Sequence, residues 1–116
     1  MDVSAAKDLI LDRDDEGGRH VSVPWTVKVY PVDAPDWGKA DHACAELALN
    51  VLDWLAPADE PRIAVPSGSC SATAWRLHRR FMHEVLVPLP RSGACLTEAR
   101  LHAWLERFQR PKRPEE

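Results

Sequence analysis

The chain has 116 residues, of which 45% are hydrophobic and 28% are charged, and this composition fits a single globular domain and argues against wholesale disorder. No apolar run approaches the roughly 20 residues of a membrane helix, and the first residues do not resemble a signal peptide, so we expect a cytoplasmic protein without a membrane partner. The three cysteines form no CxxC pair and cannot complete a disulfide framework.

The net charge of −3 hides an asymmetry between the two halves of the chain. Residues 1–60 carry 13 acidic and 5 basic side chains, whereas residues 61–116 carry 5 acidic and 10 basic ones. In the simpler interpretation, the two halves attract each other within one fold. In the alternative, the protein has an acidic face and a basic face, each able to steer a charged partner.

An alternating pattern predicts a β-hairpin in the first third of the chain. Residues 8–11 form a short predicted strand, and an acidic turn with two glycines follows it. Residues 20–31 alternate between apolar and mostly polar side chains, which is the two-residue period of a strand. Because Pro24 has no amide proton, we expect a sheet edge or a bulge there. The predicted hairpin pairs residues 8–11 with residues 20–31.

The helix predicted over residues 41–55 is the clearest element and the expected core of the fold. Its apolar side chains recur with helical spacing at Cys44, Leu47, Ala48, Val51 and Leu55. We expect the polar side chains of the opposite side to face solvent, namely His42, Glu46, Asn50 and Asp53. Asp41 is the predicted N-cap, and Pro57 ends the helix.

Two more helices are predicted, over residues 71–87 and residues 98–108. A serine at the start of the first and Thr97 before the second are suitable N-caps. Residues 63–65 are a candidate for a very short third strand, and residues 91–95 are predicted to form a turn.

These elements together predict an α+β fold in which a short antiparallel sheet packs against three helices. Two strands alone are only marginally stable, so the sheet must rest on the helices or gain a strand from elsewhere. Residues 1–109 form the predicted domain. Residues 110–116 form a predicted mobile tail, because they contain two prolines and no apolar anchor.

From Asp36 to Leu105 the order of features resembles a family of small uncharacterised bacterial and phage proteins, the domain-of-unknown-function group numbered 6166. The features are Trp37-Gly38, the segment Ala45–Leu49, a basic helix that ends in Leu-Pro, a Leu-Thr-Glu turn and a final Trp104-Leu105. Where this family tends to have Gly-Ser-Gly, the chain has Lys39-Ala40-Asp41-His42. The resemblance implies a phage or mobile-element context and carries no established activity.

Acidic side chains of the first half are the first candidate binding surface. They are Asp12, Asp14, Asp15, Glu16, Asp33 and Asp36, which together with Asp41 and Asp53 could imitate phosphates before a basic protein groove. The simpler interpretation is a solvated turn, since the spacing of a calcium loop is absent. Trp37 is expected to cover the open end of the core, with contact to a partner as the alternative.

Basic side chains of the second predicted helix are the other candidate surface. They are Arg76, Arg79, Arg80 and His83, joined in the tail region by Arg107, Arg110, Lys112 and Arg113. Such a cluster is able to meet the phosphates of a nucleic acid. The sequence pI of about 5.9 and the lack of interleaved aromatic residues count against that function.

Neither a metal site nor a nucleophile is clearly encoded. His78 and His83 are five residues apart, about 140° around a helix, and there is no HExxH motif, so we predict no metal and no other cofactor. Cys70 lies near the predicted start of a helix, where the helix dipole would favour a thiolate. A small cysteine-dependent enzyme is therefore an alternative function.

The sequence does not identify the function. We predict a non-enzymatic binding protein, from a phage or another mobile element, that inhibits a host protein complex. The alternatives are a nucleic-acid-binding accessory protein and the enzyme that uses Cys70. The oligomeric state is not predicted.

Overall fold

The computed structural model describes residues 7–109, and it has the α+β architecture that the sequence predicts. Three α-helices and two small antiparallel sheets make up the described part of the chain. The elements in chain order are β1 (Leu9–Arg13), β2 (Arg19–Val21), α1 (His42–Leu55), β3 (Arg62–Val65), β4 (Gly68–Ser71), α2 (Ala72–Phe81), a π-helical turn (Met82–Leu86), β5 (Gly93–Leu96) and α3 (Glu98–Gln109). The predicted tail, residues 110–116, lies outside the described residues.

The first sheet has the strand order β2-β1-β5, so the predicted hairpin gains its third strand from the second half of the chain. Leu9 of β1 lies opposite Leu96 of β5, and Leu11 of β1 lies opposite Val21 of β2. The turn predicted over residues 91–95 is therefore wrong in part. Strand β5 has only four residues and contains glycine and alanine, which carry little strand propensity.

The strand predicted over residues 20–31 is wrong beyond Val21, where β2 ends. The chain past Pro24 is not part of either sheet and lies along α1. Asn50 Oδ1 accepts hydrogen bonds from the amides of Thr26 and Val27, at 2.9 and 2.8 Å. Glu46 Oε1 accepts from the amides of Val29 and Tyr30, both at 2.8 Å. The side chains of Glu46 and Asn50 thus accept the backbone hydrogen bonds that a neighbouring strand would otherwise accept.

Helix α1 is the centre of the core, and its predicted apolar stripe is buried as expected. The prediction that the opposite side faces solvent is wrong for Glu46 and Asn50, which are 0% and 1% exposed. Asp53 is half-buried and accepts hydrogen bonds from the Ser71 amide and from Arg62. Asn50, Asp53 and the Oε1 atom of Glu46 bond to backbone amides that would otherwise be unpaired, which offsets the cost of their burial, whereas Oε2 of Glu46 is buried without a hydrogen-bond partner among the described residues.

The remaining elements close the core around α1. Strands β3 and β4 form a separate hairpin, which contains the short strand predicted at residues 63–65. Helix α2 and the π-helical turn together span most of the predicted helix of residues 71–87. The Thr97 side chain caps α3 by accepting from the Arg100 amide, with Leu96 and Leu101 both buried. Among the helices of residues 7–109, none has the length and apolar character to cross a membrane.

Candidate functional site

Helix α2 presents the predicted basic side chains to solvent. Ser71 caps the helix by accepting from the Ala74 amide at 3.1 Å, and its buried side is Ala74, Leu77, His78 and Phe81. The opposite side carries Arg76, Arg79, Arg80 and His83, all exposed, and we call these four residues the basic face. The side chains predicted to form one basic surface therefore share one side of α2 and of the π-helical turn that continues it.

An exposed tryptophan adjoins the basic face, and the sequence analysis did not single it out. Trp75 is 41% exposed, whereas the other large apolar side chains of α2 are buried. The signal was present in the spacing, because Trp75 falls outside the apolar stripe set by Ala74, Leu77 and Phe81. An exposed aromatic side chain, whose expected absence counted against nucleic-acid binding, is thus present on the same helix.

The four basic side chains are not equivalent. The Arg80 guanidinium forms an ion pair with Glu84 at 3.5 Å and lies over the Phe108 ring at 5.1 Å. Glu84 also accepts from Trp104 Nε1 at 3.0 Å, so Arg80 belongs to the contact between α2 and α3. Arg76 and Arg79 form no ion pair within 4 Å inside residues 7–108. Arg79 leaves its charge available to a partner, whereas the charge of Arg76 also acts on Glu60 and contributes to the lowered pKa of that carboxyl.

A row of four rings runs from α1 to Trp75. The ring centroids of His42 and Tyr30 are 5.2 Å apart, those of Tyr30 and His78 are 5.9 Å apart, and those of His78 and Trp75 are 5.2 Å apart. The row begins at exposed His42 and ends at exposed Trp75, with buried His78 between them. Its spacing lies within the range of attractive aromatic contacts.

Burial favours the neutral form of the buried histidine of this row, and hydrogen bonds fix the orientation of its ring. Burial lowers the pKa of His78, and the charge of Arg79 acts in the same direction. His78 Nδ1 lies 2.7 Å from the Trp75 carbonyl oxygen, so it must donate, and Nε2 is then the acceptor for the Tyr30 hydroxyl at 2.7 Å. Both ring nitrogens of His78 are thus engaged in hydrogen bonds inside the fold, and only the two ends of the row, His42 and Trp75, are exposed.

A cleft of about 240 Å³ opens where the ring row meets the basic face. Its lining residues come from the segment before α1, from the start of α1, from α2 and from the π-helical turn. They are Tyr30, Ala40, Asp41, His42, Ala45, Arg79, Met82 and His83, and we call this space the cleft.

The π-helical turn sets the position of two residues that line the cleft. The Val87 amide donates to the Met82 carbonyl at 2.9 Å, a five-residue step instead of the four-residue step of an α-helix. The wider turn begins at Met82 and includes His83, so both residues that this turn contributes to the cleft lie within its first two positions. Such turns are frequent at functional sites.

The six acidic residues predicted as one face are divided among three environments. Asp12, Asp14, Asp15 and Glu16 lie in and beside the turn between β1 and β2, and all four are exposed. A hydrogen bond from His20 is the main cause that lowers the pKa of Asp14, which also accepts from the Gly18 amide. Asp33 lies in a separate shallow depression beside Arg19 and Trp25.

Asp36 is buried and belongs to the core, so it offers no surface to a partner. Its carboxylate accepts from Arg13 at 3.0 Å, Arg91 at 3.3 Å and Arg19 at 3.4 Å. Burial alone raises the pKa of Asp36, but the Trp37 amide and these three guanidinium groups outweigh it and lower the pKa below the ordinary value of 3.8. The acidic first half and the basic second half of the chain are joined here by the ion pair between Asp36 and Arg91.

Trp37 covers the core, as the sequence predicts, and has no exposed surface for a partner. It is 0% exposed, its Nε1 donates to the Pro90 carbonyl at 2.9 Å, and the Arg13 guanidinium lies 4.8 Å from its ring. The alternative of a partner contact through Trp37 therefore finds no support in this conformation.

Cys70 is poorly placed to act as a nucleophile. It lies in β4 and is 0% exposed, one residue before the cap of α2. Burial raises the pKa of its thiol, and the charge of Asp53 adds to that effect. Burial raises the pKa of Cys44 to about 12, with Asp41 as a further cause. Within residues 7–109, no three His, Cys, Asp or Glu side chains are grouped closely enough to hold a metal ion.

Comparison with known proteins returned no matching family model, no matching curated protein and no matching solved structure. The resemblance stated from the sequence therefore stays a prediction.

Proposed function

We propose that this protein works without catalysis, by binding an acidic segment of a partner protein through Trp75 and the basic face. One observation carries the proposal: a half-exposed tryptophan adjoins two arginines, Arg76 and Arg79, that have no ion-pair partner within the described residues. Exposed tryptophans are uncommon because burial of the ring is favourable, so a partner that covers Trp75 would gain apolar contact area.

The composition of this surface is the one found at the energetic centres of protein interfaces. Tryptophan and arginine are the residues most enriched among positions whose truncation costs more than about 2 kcal/mol of binding energy. Both residue types stand here on a helix that is anchored by Leu77 and Phe81 in the core, so little order has to be gained on binding. The arginine charges favour an acidic partner and speed its approach.

We propose further that the partner is a host or mobile-element protein and that binding inhibits a host complex. This part of the proposal rests on the resemblance to small phage and bacterial proteins. The exposed acidic turn at Asp12, Asp15 and Glu16 is a second charged surface, and it lies on a different element from the basic face.

A nucleic-acid partner is the second candidate, and the ring row is the observation that favours it. Rings that end at exposed Trp75, next to Arg76 and Arg79, could stack a base and pair with phosphates. Arg80 contributes less to this alternative than the sequence suggested, because Glu84 already pairs with it. Of the tail residues proposed with it, Arg107 lies in α3 and pairs with Glu84 at 3.7 Å, whereas Arg110, Lys112 and Arg113 lie outside the described residues.

Capture from a nuclease-treated bacterial lysate, identified by mass spectrometry, tests the proposal. We expect the wild-type protein to retain one stoichiometric protein and the double variant Trp75→Ala, Arg76→Glu to lose it. Arg100→Glu is the control, since it reverses another exposed arginine on α3 and leaves α2 unchanged. Capture that occurs only without nuclease, and falls steeply with salt, would instead establish nucleic-acid binding. Equal capture by both variants would refute a role for this surface.

A further inference from the structure

The lining of the cleft beside the basic face contains one permanent positive charge and one carboxylate. Arg79 contributes a permanent charge without an ion-pair partner among the described residues. The one carboxylate of the lining is already engaged, because Asp41 Oδ1 accepts from the Cys44 amide at 3.0 Å and Oδ2 lies 3.6 Å from Lys39 Nζ. An anion in the cleft therefore meets the Arg79 guanidinium and a carboxylate whose charge is offset in part by exposed Lys39, which lies outside the lining.

Three donor side chains reach this cleft from three different elements. Arg79 comes from α2, His83 from the π-helical turn and His42 from the first residue of α1. A phosphomonoester presents three terminal oxygens, whereas a carboxylate presents two. Three separate N–H donor groups around one space match the larger number of acceptors, and hydrogen bonds to an ionised oxygen are stronger than neutral ones.

The other side of the cleft is apolar and aromatic. The Tyr30 ring, the Met82 thioether and the methyl groups of Ala40 and Ala45 line it. Sulfur and aromatic rings make favourable contacts with a further ring. The volume of about 240 Å³ is below the roughly 300 Å³ at which sites for drug-sized molecules begin, so a ligand with one ring is the appropriate size.

We propose that the cleft is a binding site for a small aromatic phosphomonoester, with the phosphate held by Arg79, His42 and His83 and the ring placed against Tyr30 and Met82. This inference is separate from the proposed macromolecular function, although Arg79 belongs to both surfaces. It needs no protein partner and is measurable on the purified chain.

Titration of the purified full-length protein with phenyl phosphate tests the inference, followed by calorimetry and by amide shifts in NMR spectra. We expect saturable binding with shifts at Tyr30, Arg79 and His83, and an affinity at least about tenfold above that for inorganic phosphate or for benzoate. Comparison with inorganic phosphate tests the ring contacts, and comparison with benzoate tests the preference for phosphate over carboxylate. Equal affinity for all three probes would overturn the proposal.

Two variants locate the site and distinguish binding in the cleft from nonspecific electrostatic attraction to the basic face. Arg79→Gln removes the guanidinium from the cleft, and loss of one charge-assisted contact should weaken phenyl phosphate binding at least about tenfold. Arg76→Gln is the matched control, because it removes the same charge from the same exposed side of α2 without lining the cleft. Equal weakening by both variants would overturn the assignment. Circular dichroism verifies that each variant is folded.

The two proposals fail in different ways. Loss of lysate capture by Trp75→Ala, Arg76→Glu, together with no binding of phenyl phosphate, would refute the cleft site alone. Saturable binding of phenyl phosphate without any captured macromolecule would refute the proposed function alone.

Discussion

Asn50 forms four hydrogen bonds from one buried side chain. Its Oδ1 accepts from the Thr26 and Val27 amides, and its Nδ2 donates to the Val27 and Glu46 carbonyls at 2.8 and 2.9 Å. An asparagine amide offers one acceptor oxygen and two donor hydrogens, so every donor is used. This side chain attaches the segment after Pro24 to α1.

Replacing Asn50 by alanine should destabilise the fold by about 3 kcal/mol or more, because it leaves buried amide and carbonyl groups unpaired at roughly 1–3 kcal/mol each. Urea denaturation followed by tryptophan fluorescence measures the change. Glu106→Ala, at an exposed position of α3, is the control and should change stability by less than about 0.5 kcal/mol. A loss below about 1 kcal/mol for Asn50→Ala would mean that the segment is held by its apolar side chains alone.

Asp36 is the second residue on which distant parts of the chain depend. Asp36→Asn should cost about 3 kcal/mol at pH 7, since it leaves three guanidinium groups around a neutral amide. Asp15→Asn, in the exposed turn, is the matched control and should have almost no effect. Urea denaturation at pH 7 measures both variants, and similar losses would contradict this account.

The lowered pKa of Asp36 also predicts how the stability difference between the wild type and Asp36→Asn depends on pH. A carboxyl group whose pKa is lower in the folded than in the unfolded state stabilises the folded state at pH values above the ordinary pKa of 3.8. That contribution disappears as the pH falls through the pKa of the folded state. The difference in unfolding free energy between the wild type and Asp36→Asn should therefore be constant from pH 7 to about pH 5. It should shrink below pH 3.8, and a difference that grows there would be inconsistent with this sign.

Among the elements, the helices were the most predictable and the sheets the least. The predicted helix over residues 41–55 agrees with α1 within one residue at its start, because its apolar side chains follow a helical period and Asp41 caps it. The strand over residues 20–31 failed beyond Val21, because its alternation reflects the burial of Val23 and Val27 in a segment whose amides bond to side chains of α1, and not pairing with a strand. Alternation reports one buried side and does not report what covers it.

Strand β5 escaped prediction because its pairing depends on close approach of the backbone. Gly93 has a φ of +138°, and a Cβ atom there would lie 2.5 Å from the Leu11 carbonyl oxygen. The sequence shows only a glycine in a short loop between Pro90 and Thr97.

The candidate site was likewise predictable only where it depends on local spacing. The basic face follows from helical spacing, but the cleft depends on Tyr30, which is 49 residues before Arg79 in the chain.

The substitution Gly93→Ala should disrupt the pairing of β5 with β1. Gly68→Ala is the matched control, because Gly68 has a similar φ of +143° but no atom within 4 Å of the added Cβ. Both variants carry the backbone strain of about 1–3 kcal/mol, and only Gly93→Ala adds the clash with Leu11. We expect thermal unfolding to show the larger loss for Gly93→Ala, and equal losses would mean that β5 can shift without cost.

At the scale of the whole molecule, the charge asymmetry of the sequence has two outcomes in the structure. Part of it is internal, because Arg91 of the second half pairs with Asp36 of the first half. The rest stays on the surface, as the acidic turn around Asp15 and Glu16 and as the basic face of α2. A charge count could not tell which of these residues pair within the fold and which remain exposed, and the steering of a charged partner stays a prediction.

The most direct test of the proposed function is the affinity of the captured partner for two charge variants, measured by calorimetry at 0.15 M salt. One variant reverses Arg76 and Arg79 to glutamate, and the other reverses Asp15 and Glu16 to lysine. We predict that the first variant weakens binding at least about a hundredfold, because fully covered arginines are frequent centres of binding energy, and that the second changes it by less than about threefold. The opposite order would place the interface on the acidic turn and contradict the account.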